Sequence, residues 1–260
     1  MQLSWYYSID TRIICVILFL GMLAFIQLGR RIARRRANNE KENSANAAII
    51  GSLYGLMGLL LAFTFGMSGD RFKSRKEVIV NESNAMSTAI GRIALYADSV
   101  QPQFRASFRS YLEARIRYYS AMRDTAKIRQ AMNDADKHAA DIWRIASSNS
   151  RIPSNLVASN QMVPALNEMF DIANTRFWGE LERTPSSILT MLLFLSLTTA
   201  FMAGYTSQAK GKFDWYLATT FCFLIALVIF FIIDLDAPRK GTITLDAHER
   251  AIVNLRKMLD

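Results

Sequence analysis

The chain has 260 residues and a net charge of +9, and just over half of its residues are apolar. Its two cysteines, Cys15 and Cys222, both lie inside apolar runs, which excludes a disulfide scaffold or a thiolate zinc site. The basic excess is spread over mixed-sign segments, which is the pattern of a solvated helical surface and not of a nucleic-acid footprint.

The apolar residues gather in four runs, 13–29, 47–67, 188–205 and 215–233, none containing Lys, Arg, Asp or Glu. Each is close to the roughly 20 residues a helix needs to cross a bilayer. The expected fold is therefore an all-α membrane protein. Four transmembrane helices form two hairpins, and a helical soluble domain is inserted between helices 2 and 3. The expected divisions are a first hairpin (1–69), the insert (70–186), a second hairpin (187–235) and a C-terminal tail (236–260).

In chain order, Trp5, Tyr6 and Tyr7 suit a membrane interface ahead of the first span. That span lacks a small-residue cleavage site and carries its basic cluster behind it, so it reads as retained and not as a signal peptide. Arg12 and Arg30 flank it and are able to snorkel. The loop 30–46 carries Arg30, Arg31, Arg34, Arg35, Arg36 and Lys41 against Glu40 and Glu42. The positive-inside rule puts this loop in the cytoplasm of a cell-membrane protein and the insert on the outer side. Arg71, Lys73, Arg75 and Lys76, just after the second span, pull the other way.

The second span carries Gly51, Gly55, Gly58, Ala62, Gly66 and Gly69 at spacings of three and four, one helical face. Such glycines weaken a helix by about 1 kcal/mol each in water. In lipid a smooth face lets another helix approach closely, so this one reads as a packing surface in a bundle or oligomer. No breaker follows, and the helix is expected to run on to about Tyr96.

The segment 70–185 holds 17 basic and 13 acidic residues, and between Gly91 and Gly179 it has no glycine and only Pro102, Pro153 and Pro164 as prolines. Helices joined by short turns are expected. After a turn at 98–102, one carries Phe104, Phe108, Leu112, Ile116 and Tyr119 on one face and Arg105, Arg109, Glu113 and Arg117 on the other. The next covers 125–148 with Ile128, Met132, Ile142 and Ile145 as its apolar positions. The last covers 155–183, with a possible kink at Pro164. A turn with Lys210, Gly211 and Lys212 makes the third and fourth spans antiparallel neighbours. Asp234 and Asp236 end the fourth span and are expected to pair with Arg239 or Lys240. A short terminal helix covers 247–259.

No nucleophile elbow, phosphate loop or dinucleotide fingerprint occurs, so no catalytic residue and no cofactor is expected. Asp134, His138 and Asp141 share a helical face, but without a fourth ligand they read as solvated and no metal is expected. Arg71 and Arg75 could draw anions to a pore mouth or meet lipid headgroups. Phe63 and Phe65 could gate by dewetting or simply face lipid.

The run Asp70-Arg71-Phe72, Arg75-Lys76 and Val80-Asn81 resembles the segment after the second membrane helix of bestrophins, pentameric anion channels. The chain departs from them in having no tryptophan after this point until Trp143. Over most of its length it resembles a bacterial bestrophin-like membrane family of unknown function. The shared features are the arginine-rich first loop, Gly58-Leu59-Leu60-Leu61-Ala62-Phe63-Thr64-Phe65, Asn81-Glu82-Ser83-Asn84-Ala85 and Asp234-Leu235-Asp236-Ala237-Pro238 with Gly241. The resemblance implies a homo-oligomeric ion channel passing inorganic anions. The second span would line the pore with Ser52, Phe63, Thr64, Phe65 and Ser68, and Arg71 and Arg75 would stand at its mouth. It also implies a cytoplasmic insert, opposite to the charge count of the first loop. The alternative function is a membrane-anchored interaction or sensing module without transport.

Overall fold

A computed structural model describes residues 9–36, 44–121, 124–207, 213–237, 241–243 and 245–260. Trp5 to Tyr7, Lys210 to Lys212, Arg239 and Lys240 lie outside the described residues. The described residues are helical, with no strand among them: α1 Thr11–Arg36, α2 Ser44–Gly91, α3 Gln101–Ser120, α4 Thr125–Asn149, α5 Leu156–Leu181, α6 Ser186–Tyr205, α7 Trp215–Leu235 and α8 Asp246–Asn254. Short 3-10 turns cover Arg92–Leu95, Pro153–Asn155 and Leu255–Met258. Four of these helices contain stretches long and apolar enough to cross a membrane. Pro164 sits inside α5 without ending it.

The chain divides into two compact units, Met1–Arg71 with Arg183–Ala237, and Phe72–Glu182 with Pro238–Asp260. The division falls within α2, which is continuous over 48 residues. The breaker-free stretch behind the second span is thus one helix with it, ending at Gly91 and passing into the 3-10 turn.

In the first unit, α1 packs most extensively on α6 and next on α7, while α6 and α7 touch each other far less. This differs from the two hairpins that the loop lengths suggest. The reason is a close crossing of α1 and α6. A Cβ on Gly29 would lie 2.2 Å from the Phe201 carbonyl oxygen, and one on Gly204 would lie 2.0 Å from that of Ile26. Two hydrogen side chains let the backbones meet, which is how helices associate tightly where hydrophobicity gives no driving force. Ile14, Leu18, Met22 and Ile26 of α1 meet Leu189, Leu192, Ile225 and Ile229 in one apolar core. From α2, Met57 and Leu61 join this core, and Tyr54 donates to the Thr199 carbonyl and sets its ring edge-on to Phe221.

The second unit is built on the apolar face of α3: Phe104, Phe108 and Leu112 are wholly buried against Ile79, Met86, Ile93, Ile142, Met162 and Leu166. Pro102 near the start of α3 and the Asp124 carboxylate, which accepts from the Ala126 and Lys127 amides, set the beginnings of α3 and α4. The C-terminal residues are part of this unit and not a separate tail. Ile252, Leu255 and Leu259 enter its core, Arg256 forks onto Glu113 at 2.7 and 2.8 Å, and Arg109 donates to the Leu259 carbonyl and to Asp260. The polar face of α3, expected in solvent, is therefore partly a seat for the C-terminus.

Candidate functional site

The second span is the least covered in its own unit. Only 17% of its apolar window is buried, against 33–39% for the other three. Its inward side is set by Met57, Leu61, Thr64 and Ser68, all buried. Thr64 returns its hydroxyl to the Leu60 carbonyl at 2.7 Å, and Ser68 accepts from Arg71 at 3.1 Å. The opposite side carries Ser52, Leu56, Leu59, Phe63 and Gly66, all exposed. Ser52 donates to the Ile49 carbonyl. A Cβ built on Gly51, Gly55, Gly58, Gly66 or Gly69 meets nothing within 4 Å, and Ala62 beside them is exposed. The small-residue face is therefore unoccupied within the protomer. Within the protomer, close glycine-mediated contact is made at Gly29 and Gly204.

The five residues named as pore-lining thus fall on different sides. Ser52 and Phe63 share the open face, while Thr64 and Ser68 turn into the protomer. Phe65 is exposed but stands about 200° around the helix from Phe63, so the two do not share a direction.

The cationic end is also engaged. In the first unit the Arg71 guanidinium forks onto Asp236, Nε to Oδ1 at 2.8 Å and Nη2 to Oδ2 at 3.1 Å. It donates as well to the Thr184 hydroxyl. Asp236 further accepts from the Thr184 amide at 3.0 Å and from its hydroxyl, and Arg183 donates to the Asp236 carbonyl. Asp236 is thus paired with an arginine 165 residues away in sequence; the expected pairing with Arg239 or Lys240 lies outside the described residues. Helix α7 ends where α2 supplies a cation, and a buried carboxylate needs one. In the second unit Arg75 is buried and donates to the carbonyls of Gly179 and Glu182, at 3.3 and 2.6 Å. An arginine spent on backbone carbonyls at the end of a helix is positioning the chain. Lys73 lies near Glu77 at 3.8 Å with both side chains largely exposed, and Asp70 is exposed.

Sequence reasoning missed the most buried charge among the described residues. Glu82, 0% exposed, takes Arg115 Nε at 2.7 Å, Arg176 Nη1 at 2.9 Å and the Tyr119 hydroxyl at 2.8 Å. Arg176 also lies over the Tyr119 ring, 3.5 Å from its centre, and reaches Glu180 and Glu249. Burial alone would raise the Glu82 carboxyl, but the two guanidiniums and the hydrogen bonds outweigh it and hold it below the ordinary carboxylate range. The signal was present: Phe108, Leu112, Arg115 and Tyr119 keep one helical stripe, so Arg115 stands on the apolar face of α3. The metal candidates, by contrast, are drawn into ion pairs, Asp134 with Arg117 at 2.9 Å and Asp141 with Arg144 at 3.1 Å.

Four apolar helical stretches, one of them presenting an unoccupied small-residue face and continuing without a break into charged helix, define a multi-span helical membrane protein. The chain belongs to the bestrophin-like family: the family model for the bestrophin-like domain matches residues 16–248. Crystal structures of a bestrophin homologue from Klebsiella pneumoniae share its fold. A tyrosine-to-alanine variant of that homologue has a TM-score of 0.68 at 11% identity, covering 94% of this chain and 98% of the other. A tryptophan-to-alanine variant has a TM-score of 0.66 at 12% identity, covering 94% and 96%. No curated protein sequence matches the chain.

Proposed function

We propose that this chain is the protomer of a homo-oligomeric ion channel in the cell (inner) membrane, with a transport role and not a catalytic one. The observation that carries the reading is the open small-residue face of α2 in the least covered span. A span with so much surface left outside its own core is suited to packing against copies of itself. In a ring of copies, the small residues at Gly51, Gly55, Gly58, Ala62 and Gly66 seat neighbouring α2 helices. The adjoining direction, with Ser52, Leu56, Leu59 and Phe63, faces the axis, and Phe63 supplies an apolar constriction of the kind that gates by dewetting. Thr64 and Ser68 leave the pore-facing set, and so does Phe65. The helices of 72–182 stand outside the bilayer, and the 30–46 loop is cytoplasmic by its charge.

Inorganic anions are the permeant class implied by bestrophin kinship. The engagement of Arg71 by Asp236 and of Arg75 by carbonyls favours a second reading, passage of cations. Exposed Asp70 continues the Ser52–Phe63 direction at the end of the span, and rings of carboxylates select cations. Recording from purified protein in planar bilayers under a salt gradient tests both. A reversal potential of one sign assigns anions and the other assigns cations, and absence of current under every ionic condition refutes the channel in favour of an anchored interaction or sensing module. Crosslinking in native membranes adds the oligomer test: a channel gives a closed ladder of identical subunits. Accessibility labelling of cysteines placed at Ser44 and Ser147 fixes the sidedness.

A further inference from the structure

We propose that Arg31, Arg34 and Arg35, at the end of α1, form a docking site for the phosphate headgroups of anionic phospholipids. The level of the membrane surface at this end of the first unit is marked by an aromatic group. Arg30, only 9% exposed, lies with its guanidinium 4.2 Å from the centre of the Phe213 ring and 5.5 Å from that of Trp215. The two rings meet edge to face at 5.0 Å. Trp215 and its neighbour Tyr216 are 41% and 85% exposed, the arrangement of an interfacial belt where amphipathic rings sit at headgroup depth. Arg30 therefore does not snorkel freely. It is capped, and it fixes the height of the residues that follow it.

Those residues are Arg31, Arg34 and Arg35, all exposed and all still helical. Their spacing of three and four puts Arg31 beside both others on the helix surface. They span about 6 Å of rise beyond the belt, one turn outward, where lipid phosphates lie. Among the described residues no carboxylate pairs with any of the three. The acid beside the belt, Asp214, is occupied in accepting the Leu217 amide at 3.0 Å as the cap of α7. Three exposed guanidiniums of fixed height, without a carboxylate partner among the described residues and each able to fork onto two phosphate oxygens, are complementary to an anionic headgroup layer. A single engaged arginine favours anionic over zwitterionic lipid by roughly fivefold. The inference is independent of whether the protein conducts ions.

The test uses the full chain carrying Trp5→Phe, Trp143→Phe and Trp178→Phe, so that Trp215 alone fluoresces, reconstituted in phosphatidylcholine vesicles. Brominated phosphatidylglycerol or brominated phosphatidylcholine is then added at equal mole fraction. The expected result is severalfold stronger quenching by the anionic lipid, suppressed near 1 M salt, where the Debye length is about 3 Å. Combined Arg31→Gln, Arg34→Gln and Arg35→Gln brings the two lipids level, while Lys at the three positions retains most of the preference. Circular dichroism confirms that each variant keeps its helices. Equal quenching in the parent, or an undiminished preference in the Gln variant, overturns the proposal. So does loss of the preference in inorganic phosphate at matched ionic strength, which assigns the site to the free ion.

Discussion

Glu82→Gln is the most informative single substitution for the second unit. It keeps the volume and the hydrogen-bonding reach of the side chain but leaves Arg115 and Arg176 facing each other with no charge between them. Their side chains are only 7% and 3% exposed, so water does not make up the difference. Removing one partner from such a buried set costs about 3–5 kcal/mol, because the remaining charges stay desolvated. For a unit of this size that lowers the unfolding midpoint by roughly 6–20 °C. Thermal unfolding of the purified full chain in detergent, followed by circular dichroism, reads the shift. Glu113→Gln is the control. Its pair with Arg256 is about half exposed on the arginine side, so the same chemical change there costs under about 1 kcal/mol. A Glu82→Gln midpoint no lower than that of Glu113→Gln refutes the reasoning that the second unit is held by this buried charge. The pH dependence follows the same logic. Because the folded Glu82 carboxyl is held below its ordinary value of 4.5, its stabilisation is complete above about pH 4.5. It is lost as pH falls through the folded value. The Gln variant lacks this acid-side loss.

Gly29→Leu and Gly204→Leu each force a side chain into backbone atoms of the facing helix and disrupt the first unit, read as loss of the folded detergent-soluble fraction. Gly58→Ala and Gly66→Ala, with open space around the new methyl, leave the protomer folded and change only the pattern of subunit crosslinking. A double-mutant cycle of Arg71→Gln and Asp236→Asn gives a coupling of about 1–3 kcal/mol in unfolding free energy, since the pair is forked and largely buried. Deleting residues 245–260 withdraws Ile252, Leu255 and Leu259 from the second core. At about 1.5–3 kcal/mol for each buried side chain this exposes 72–182 to rapid limited proteolysis.

The helices were legible in the sequence because their causes are local. Apolar length against bilayer thickness marks the spans, and the lack of glycine between Gly91 and Gly179 marks the insert. What stayed hidden depends on residues distant in the chain. Arg71 and Asp236 each lie in a segment that resembles the bestrophin-like pattern, yet nothing in either segment announces the other across 165 positions. The same holds for Glu82, whose partners come from α3 and α5. Glycine shows the same limit. Five glycines and Ala62 form a visible row on α2 that meets nothing within the protomer, whereas the isolated Gly29 and Gly204 make its tight crossing. Spacing shows that backbones can approach; only what stands opposite shows that they do.

The placement of the C-terminal segment in the second core has a consequence for biosynthesis. Leu245, Ile252, Leu255 and Leu259 leave the ribosome after Glu182 and after both later spans have been made. At about 5–20 residues per second, the insert helices therefore wait several seconds with part of their apolar surface uncovered before the residues that complete them arrive. The order of synthesis makes translation of α6 and α7 a prerequisite for finishing a core whose other helices lie earlier in the chain.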